Sequence, residues 1–164
     1  MDHLWTPWRS TYMREKRVRH GCLFCDASAS GNDAEALIVH RARFNFVILN
    51  RYPYTSGHVM IAPYQHVARL QQADIATAEE MMVLARLAER VVETSYRPGG
   101  LNIGMNLGEA AGAGIEQHIH LHVLPRWTGD ANFMTSVGET RIIPEDLSVT
   151  FAKLSEGFKQ AGSY

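Results

Sequence analysis

The run His118-Ile119-His120-Leu121-His122-Val123-Leu124-Pro125 decides how the rest of the chain is read. Imidazole and aliphatic side chains alternate along it, and in a β-strand successive side chains point to opposite faces. A strand here puts His118, His120 and His122 on one face and Ile119, Leu121 and Val123 on the other. The aliphatic face belongs in a core, which leaves the imidazole face for chemistry. Two chemistries suit it. A neutral imidazole is a competent nucleophile near pH 7 when its second nitrogen is held in one tautomer, and His120, flanked on both sides, is the natural attacker. Histidines two apart on a strand also converge well on Zn²⁺, so a hydrolase using the triad as metal ligands is the competing reading. The plainest alternative is a strand whose exposed face carries three histidines and nothing more.

Strand-like runs precede this segment at 36–42, 44–50 and 57–62, separated by turn formers such as Pro53 and Gly57, and read as an antiparallel meander. From Asp74, a candidate N-cap, Leu84, Ala88 and Val91 recur at helical spacing until Pro98-Gly99-Gly100 stops the helix. Strands return at 101–106 and 118–125, joined by the glycine-rich link Gly108 to Gly114. A last strand is expected near 140–143, and Pro144 suits the first turn of a final helix reaching toward Gln160. The small polar stretch Ala27 to Asp33 reads as a loop, and Thr11 to Arg19 as a short basic surface helix. Strands in succession with two main helices make the fold class α+β.

At 164 residues and 46% hydrophobic composition, the chain suits one core and a single domain. Sixteen Lys and Arg against 17 Asp and Glu provide no polycation for duplex nucleic acid, which favours a small ligand. No apolar run approaches the roughly 18 residues that span a bilayer. Met1-Asp2-His3-Leu4-Trp5 lacks the pattern of a secretory leader, so a cytoplasmic location without membrane contact is expected. The only cysteines, Cys22 and Cys25, are too close to staple a useful loop and in a reducing compartment point to metal binding or redox chemistry.

With Phe46 to Pro53 and Gly57-His58-Val59-Met60-Ile61-Ala62-Pro63-Tyr64-Gln65-His66 placed before the triad, the chain resembles the histidine-triad (HIT) superfamily from about Cys22 to Met134. The hallmark is His-φ-His-φ-His-φ-φ, with φ apolar, after a Gly-His-apolar strand. Leu4-Trp5-Thr6-Pro7-Trp8-Arg9 and Pro125-Arg126-Trp127-Thr128-Gly129-Asp130-Ala131-Asn132-Phe133 are similar to the prokaryotic diadenosine tetraphosphate phosphorylase branch, related to Fhit. The resemblance implies a HIT-like α+β fold with an antiparallel five-stranded sheet, one long helix and a C-terminal helix. The whole of 1–164 is then one HIT domain, with an N-terminal extension over 1–21, a core over about 22–134 and a C-terminal strand and helix over about 139–161.

The resemblance also implies roles. His120 attacks the α-phosphorus of a dinucleoside polyphosphate to form a nucleotidyl-histidine, His122 bonds phosphate and leaving-group oxygens, and His118 buttresses the site. Asn50 falls where the family contacts ribose, His58 in the nucleoside pocket and Asn106 beside the α-phosphate. Gly112 and Gly114 lie in a link whose backbone N–H groups can approach phosphate oxygens, and Trp127 offers a stacking face for a base or a partner subunit. Cys22, Cys25, His66 and His118 correspond to a four-ligand structural Zn²⁺ site, and a divalent cation can accompany the polyphosphate. A homodimer is expected, since members pair about a two-fold axis. Inorganic phosphate or water finishes the reaction; phosphorylase members carry a serine where this chain has Gly114, which leaves both acceptors open. Nucleoside phosphoramidate hydrolysis, as in the Hint-like branch, and non-catalytic nucleotide sensing are the alternative functions.

Overall fold

The computed structural model describes residues 21–131, 135 and 145–162. The expected basic helix at 11–19, the strand at 140–143, Pro144 and the tryptophan-rich start lie outside the described residues. Short helices α1 (Leu23–Ala29) and α2 (Asp33–Ala36) lead into strands β1 (Ile38–Arg41), β2 (Asn45–Leu49) and β3 (Val59–Pro63). The long helix α3 (Ile75–Tyr96) follows, then β4 (Gly100–Gly104), β5 (Leu121–Arg126) and the helix α4 (Leu147–Ala161). The sheet has five antiparallel strands in the order β1-β2-β3-β5-β4, so β5 is inserted between β3 and β4, leaving β4 at an edge.

Every residue of β2 and β3 is buried, because both faces of the sheet are covered. Val47, Leu49, Val59, Ile61, Ile119, Leu121 and Val123 point to one face and meet Leu84, Ala88, Val91 and Val92 of α3. Phe46, Ile48, Met60 and Ala62 point to the other and meet Phe24 of α1. This period of two in the strands against three and four in the helix is the expected pattern for a helix laid on a pleated sheet. Helix α4 closes against α3 where Gly157 removes an obstacle: a Cβ there would stand 2.7 Å from Val91 Cγ1.

Several boundaries differ from the sequence reading. The stretch read as a loop, Ala27 to Asp33, divides between the end of α1 and the start of α2, with Asn32 capping Glu35 N–H. Ladder pairing of β5 begins at Leu121, so His118 and His120 precede the strand proper while their side chains keep its alternation. The backbone there is held instead by Ile119 N–H to Val67 C=O at 2.8 Å. Asp74 is the N-cap of α3 by position but makes no side-chain cap bond. Helix α4 begins at Leu147, where Asp146 accepts from Ser148 N–H, three residues later than a start at Pro144.

Candidate active site and thiol–imidazole cluster

A cleft of about 1150 Å³ opens on the face of the sheet that carries α1. Asn50, Asn106, Gly112, Gly114, His120 and His122 line it. The three triad rings are brought together, but they are not equivalent. His120 Nδ1 stands 2.9 Å from the carbonyl oxygen of His118. A carbonyl only accepts, so Nδ1 carries the proton and Nε2 keeps a lone pair. Burial holds the His120 pKa below the ordinary imidazole value, against the opposing pull of that backbone bond, so the ring is neutral at pH 7.

His122 receives the opposite tautomer. His58 Nδ1 accepts the backbone N–H of Tyr54 at 3.2 Å and lies 3.4 Å from Asn50 Nδ2. The proton of His58 must then sit on Nε2, from which it donates to His122 Nδ1 at 2.9 Å. His122 Nε2 is left as an N–H donor. Burial, followed by the charge of His120, depresses the pKa of His122 to about 4, so this donor ring is neutral as well. His58 is pushed well below the imidazole range by burial first and by its histidine neighbours second.

His118 does not itself line the cleft, although Cys22, Cys25 and His66, which its ring meets, do. Its Nε2–H donates to Pro63 C=O at 2.9 Å, and its Nδ1 lies 3.3 Å from Cys22 Sγ, 3.7 Å from Cys25 Sγ and 3.2 Å from His66 Nδ1. The fourth contact, Cys25 Sγ to His66 Nδ1, is 3.3 Å. Metal–nitrogen and metal–sulfur bonds of about 2.0 and 2.3 Å in a tetrahedron place ligand atoms about 3.3–3.8 Å apart; these four contacts fall at or close to that range and all four donor atoms lie within 4.8 Å of one another, a set compatible with Zn²⁺. Burial and then Cys22 raise the Cys25 thiol to about 11. The triad is therefore divided: His118 joins the thiols, whereas His120 and His122 serve the cleft. This geometry does not gather the three histidines as one metal-ligand set.

Three expected contacts are placed differently. His58 is only 1% exposed and stands behind His122 rather than among the cleft-lining residues. Trp127 lies beyond the far end of β5, edge-on to Tyr96 at 6.3 Å, and does not line the cleft. In the glycine-rich link, the amides of Ala111 and Ala113 donate to Gly108 C=O and that of Gly112 to Glu109 C=O. Those three N–H groups are spent on folding the link and are not available as phosphate donors. Asn106, by contrast, has no side-chain hydrogen bond to another described residue and projects beside Gly112. Asn50 is partly committed, since its Oδ1 accepts Tyr52 N–H at 2.9 Å. Sequence reasoning missed Tyr54, whose ring stacks on His58 at 5.1 Å and lines the cleft. The turn former Pro53 beside it was the available signal.

Against this geometry, the family model described as HIT domain matches residues 32–129. The chain belongs to the HIT domain family. Among HIT relatives, the AP-4-A phosphorylase of Mycobacterium tuberculosis is 38% identical over 160 residues, covering 92% of this chain and 80% of the relative. The asymmetrical bis(5'-nucleosyl)-tetraphosphatase of Schizosaccharomyces pombe is 27% identical over 57% of this chain and 50% of its own. A Zn-bound histidine triad family protein from Mycobacterium smegmatis shares the fold with a TM-score of 0.69 at 27% identity, covering 85% of this chain and 94% of that one. The five-stranded antiparallel sheet and C-terminal helix of this HIT chain agree with that neighbour.

Proposed function

We propose that this HIT-family nucleotide-processing enzyme cleaves dinucleoside polyphosphates, such as diadenosine tetraphosphate, at the α-phosphate through a nucleotidyl-histidine on His120. The observation that carries this reading is the pair of opposed tautomers: an Nε2 lone pair on His120 beside an Nε2–H donor on His122. The lone pair forms a bond to the α-phosphorus, and the distal polyphosphate leaves with the electrons of the broken P–O bond. His122 donates to oxygens gaining charge, and Asn106 offers its uncommitted amide to the α-phosphate. The positive charge on the nucleotidylated ring is stabilised by Nδ1–H on His118 C=O. Asn50 remains the ribose contact, Gly112 and Gly114 form the phosphate-side wall, and Trp127 is left as a surface for a partner subunit. Water or phosphate then displaces His120. The M. tuberculosis relative's name favours phosphate, and Gly114 in place of a serine favours water. Product analysis with diadenosine tetraphosphate, with and without phosphate, tests both: ADP plus ATP marks phosphorolysis, AMP plus ATP marks hydrolysis, and no cleavage refutes the assignment.

Because burial lowers the His120 pKa, the nucleophile stays neutral through the range in which a solvated imidazole protonates. The sign is that activity is kept as pH falls through about 6.5 and is lost only below it, when the depressed value is reached. A kcat/KM profile with an acid limb centred near about 6.5 would contradict this protonation state.

We read Cys22, Cys25, His66 and His118 as the ligands of a structural Zn²⁺, which supplies folding energy by tying α1 to the segment before β5. Four protein ligands leave no open position for substrate. Cys22→Ser is expected to abolish stoichiometric zinc in protein purified without added metal and to lower Tm by several degrees, with a smaller effect on the chemical step. Wild-type protein carrying far less than one equivalent of zinc would remove the site. The reduced thiols suit the cytoplasm, and no described helix is long and apolar enough to cross a membrane.

The edge strand β4, with Asn102, Ile103 and Gly104 exposed, is the surface we assign to a homodimer, each copy extending the other's sheet. Sedimentation that finds only an 18.4 kDa species at micromolar concentration would exclude it. We treat 1–164 as one HIT domain with an extension over 1–21.

A further inference from the structure

Phe24 lies between the two cysteines of α1 and its immediate approach, and it is completely buried. Its ring packs on two imidazoles at once, with centroids 5.1 Å from His118 at 49° and 4.8 Å from His120 at 38°. It belongs to one apolar cluster with Ile38, Phe46, Ile48, Met60 and Ala62, which backs it from the sheet side. On its remaining flank His120 meets His122 edge-on at 4.9 Å and 74°.

The His120 ring needs this enclosure. Rotation about the bond joining an imidazole to its Cβ is soft and roughly two-fold, so one hydrogen bond at Nδ1 restrains the plane weakly. The nucleophilic lone pair lies in that plane, so a twist of the ring turns Nε2 away from an in-line approach to phosphorus. We infer that Phe24 is a positioning residue for the reaction: its flat face, backed by the core, holds the His120 imidazole at the angle that aims Nε2 into the cleft. This rests on His120 being the nucleophile. Phe24 also lines the cleft, so a positioning role is told from that of a mere pocket floor by the rate at saturation and by the state of the His120 ring.

The test is Phe24→Leu, which keeps an apolar side chain and removes the flat face, with Phe24→Met as a second variant should the first fail to fold. Three quantities are measured on the full chain with its zinc content recorded. These are the rate of protein-bound nucleotide formation from saturating diadenosine tetraphosphate, the Kd for AMP, and the nitrogen NMR signals of labelled histidine. The expected result is a ten- to hundredfold slower rate, in the range for a reacting group displaced by about 1 Å. The separate Nδ1–H and bare Nε2 signals of His120 should move toward each other as the ring reorients, and both changes are expected whether or not the Kd for AMP moves. An unchanged rate with unchanged signals overturns the proposal and leaves Phe24 a core residue. A weakened Kd with a normal saturated rate also overturns it, in favour of the nucleoside floor. If wild-type protein forms no adduct on His120, the nucleophile reading fails by itself, and the NMR arm still decides whether Phe24 orients the ring.

Discussion

His120→Ala is expected to eliminate protein-bound nucleotide and to reduce turnover by roughly four to six orders of magnitude, the scale on which loss of a nucleophile is felt. The side chain is 5% exposed, with one face on Phe24 and its Nδ1–H on a backbone carbonyl, so truncation leaves a small cavity and no unpaired charge. The chemical loss therefore separates from the stability loss. Rapid quench with an α-labelled dinucleoside tetraphosphate, followed by peptide mapping, should find acid-labile label on His120 in the wild-type protein and none in the variant. Two successive displacements also predict retention of configuration at phosphorus. Inversion, with label never attached to protein, would mean direct attack by water and would end the covalent reading.

The second large effect is expected from a residue that does not line the cleft. His58→Ala withdraws the proton that His122 Nδ1 accepts. The His122 proton is then free to move to Nδ1, and Nε2 presents a lone pair to an anionic polyphosphate where it had presented a donor. A histidine in the wrong tautomer costs about 10⁴ in a serine protease. The departing polyphosphate is a weaker base than an amine, so a loss of about a hundred- to a thousandfold in kcat is the expectation, at little change in nucleoside affinity. A substrate whose leaving group is a distinctly weaker base, such as a 2,4-dinitrophenyl ester of AMP, should recover most of the deficit in both His58→Ala and His122→Ala. If His58 instead contacted the nucleoside, the defect would fall on KM and be the same for every leaving group.

The division of faces around the triad was legible because a period of two is a local property: Ile119, Leu121 and Val123 reach the core as alternation requires. The thiol–imidazole set was legible through resemblance, and long-range geometry supports it, with His66 and His118 arriving from segments 41 and 93 residues beyond Cys25. What could not be read depends on register and on bonds between distant backbones. His58 falls behind His122 because Met60 pairs with His122, which sets His58 on the same face one step along the diagonal. The ladder starts at Leu121 because Pro63 C=O is taken by His118 Nε2 and Ile119 N–H is taken by Val67. Helix α1 was missed because Ala27-Ser28-Ala29-Ser30 has the composition of a loop, while burial of Phe24 imposes helix on it. The glycine link suggested open amides, and only its internal bonds reveal that three of them are used.

His118 meets two obligations with different atoms: its ring faces the thiols, and its main-chain oxygen orients the His120 ring. Any amino acid supplies that oxygen. The thiol–imidazole cluster and the support of the His120 ring are thus joined at one position in the chain yet separable in inheritance. A descendant could trade the cysteines for an ordinary apolar patch and keep the chemistry, provided that the backbone at this point stays where it is. Replacing His118 and both thiols together is accordingly a more promising redesign than replacing any one of them, since a single change strands the polar groups that now contact one another.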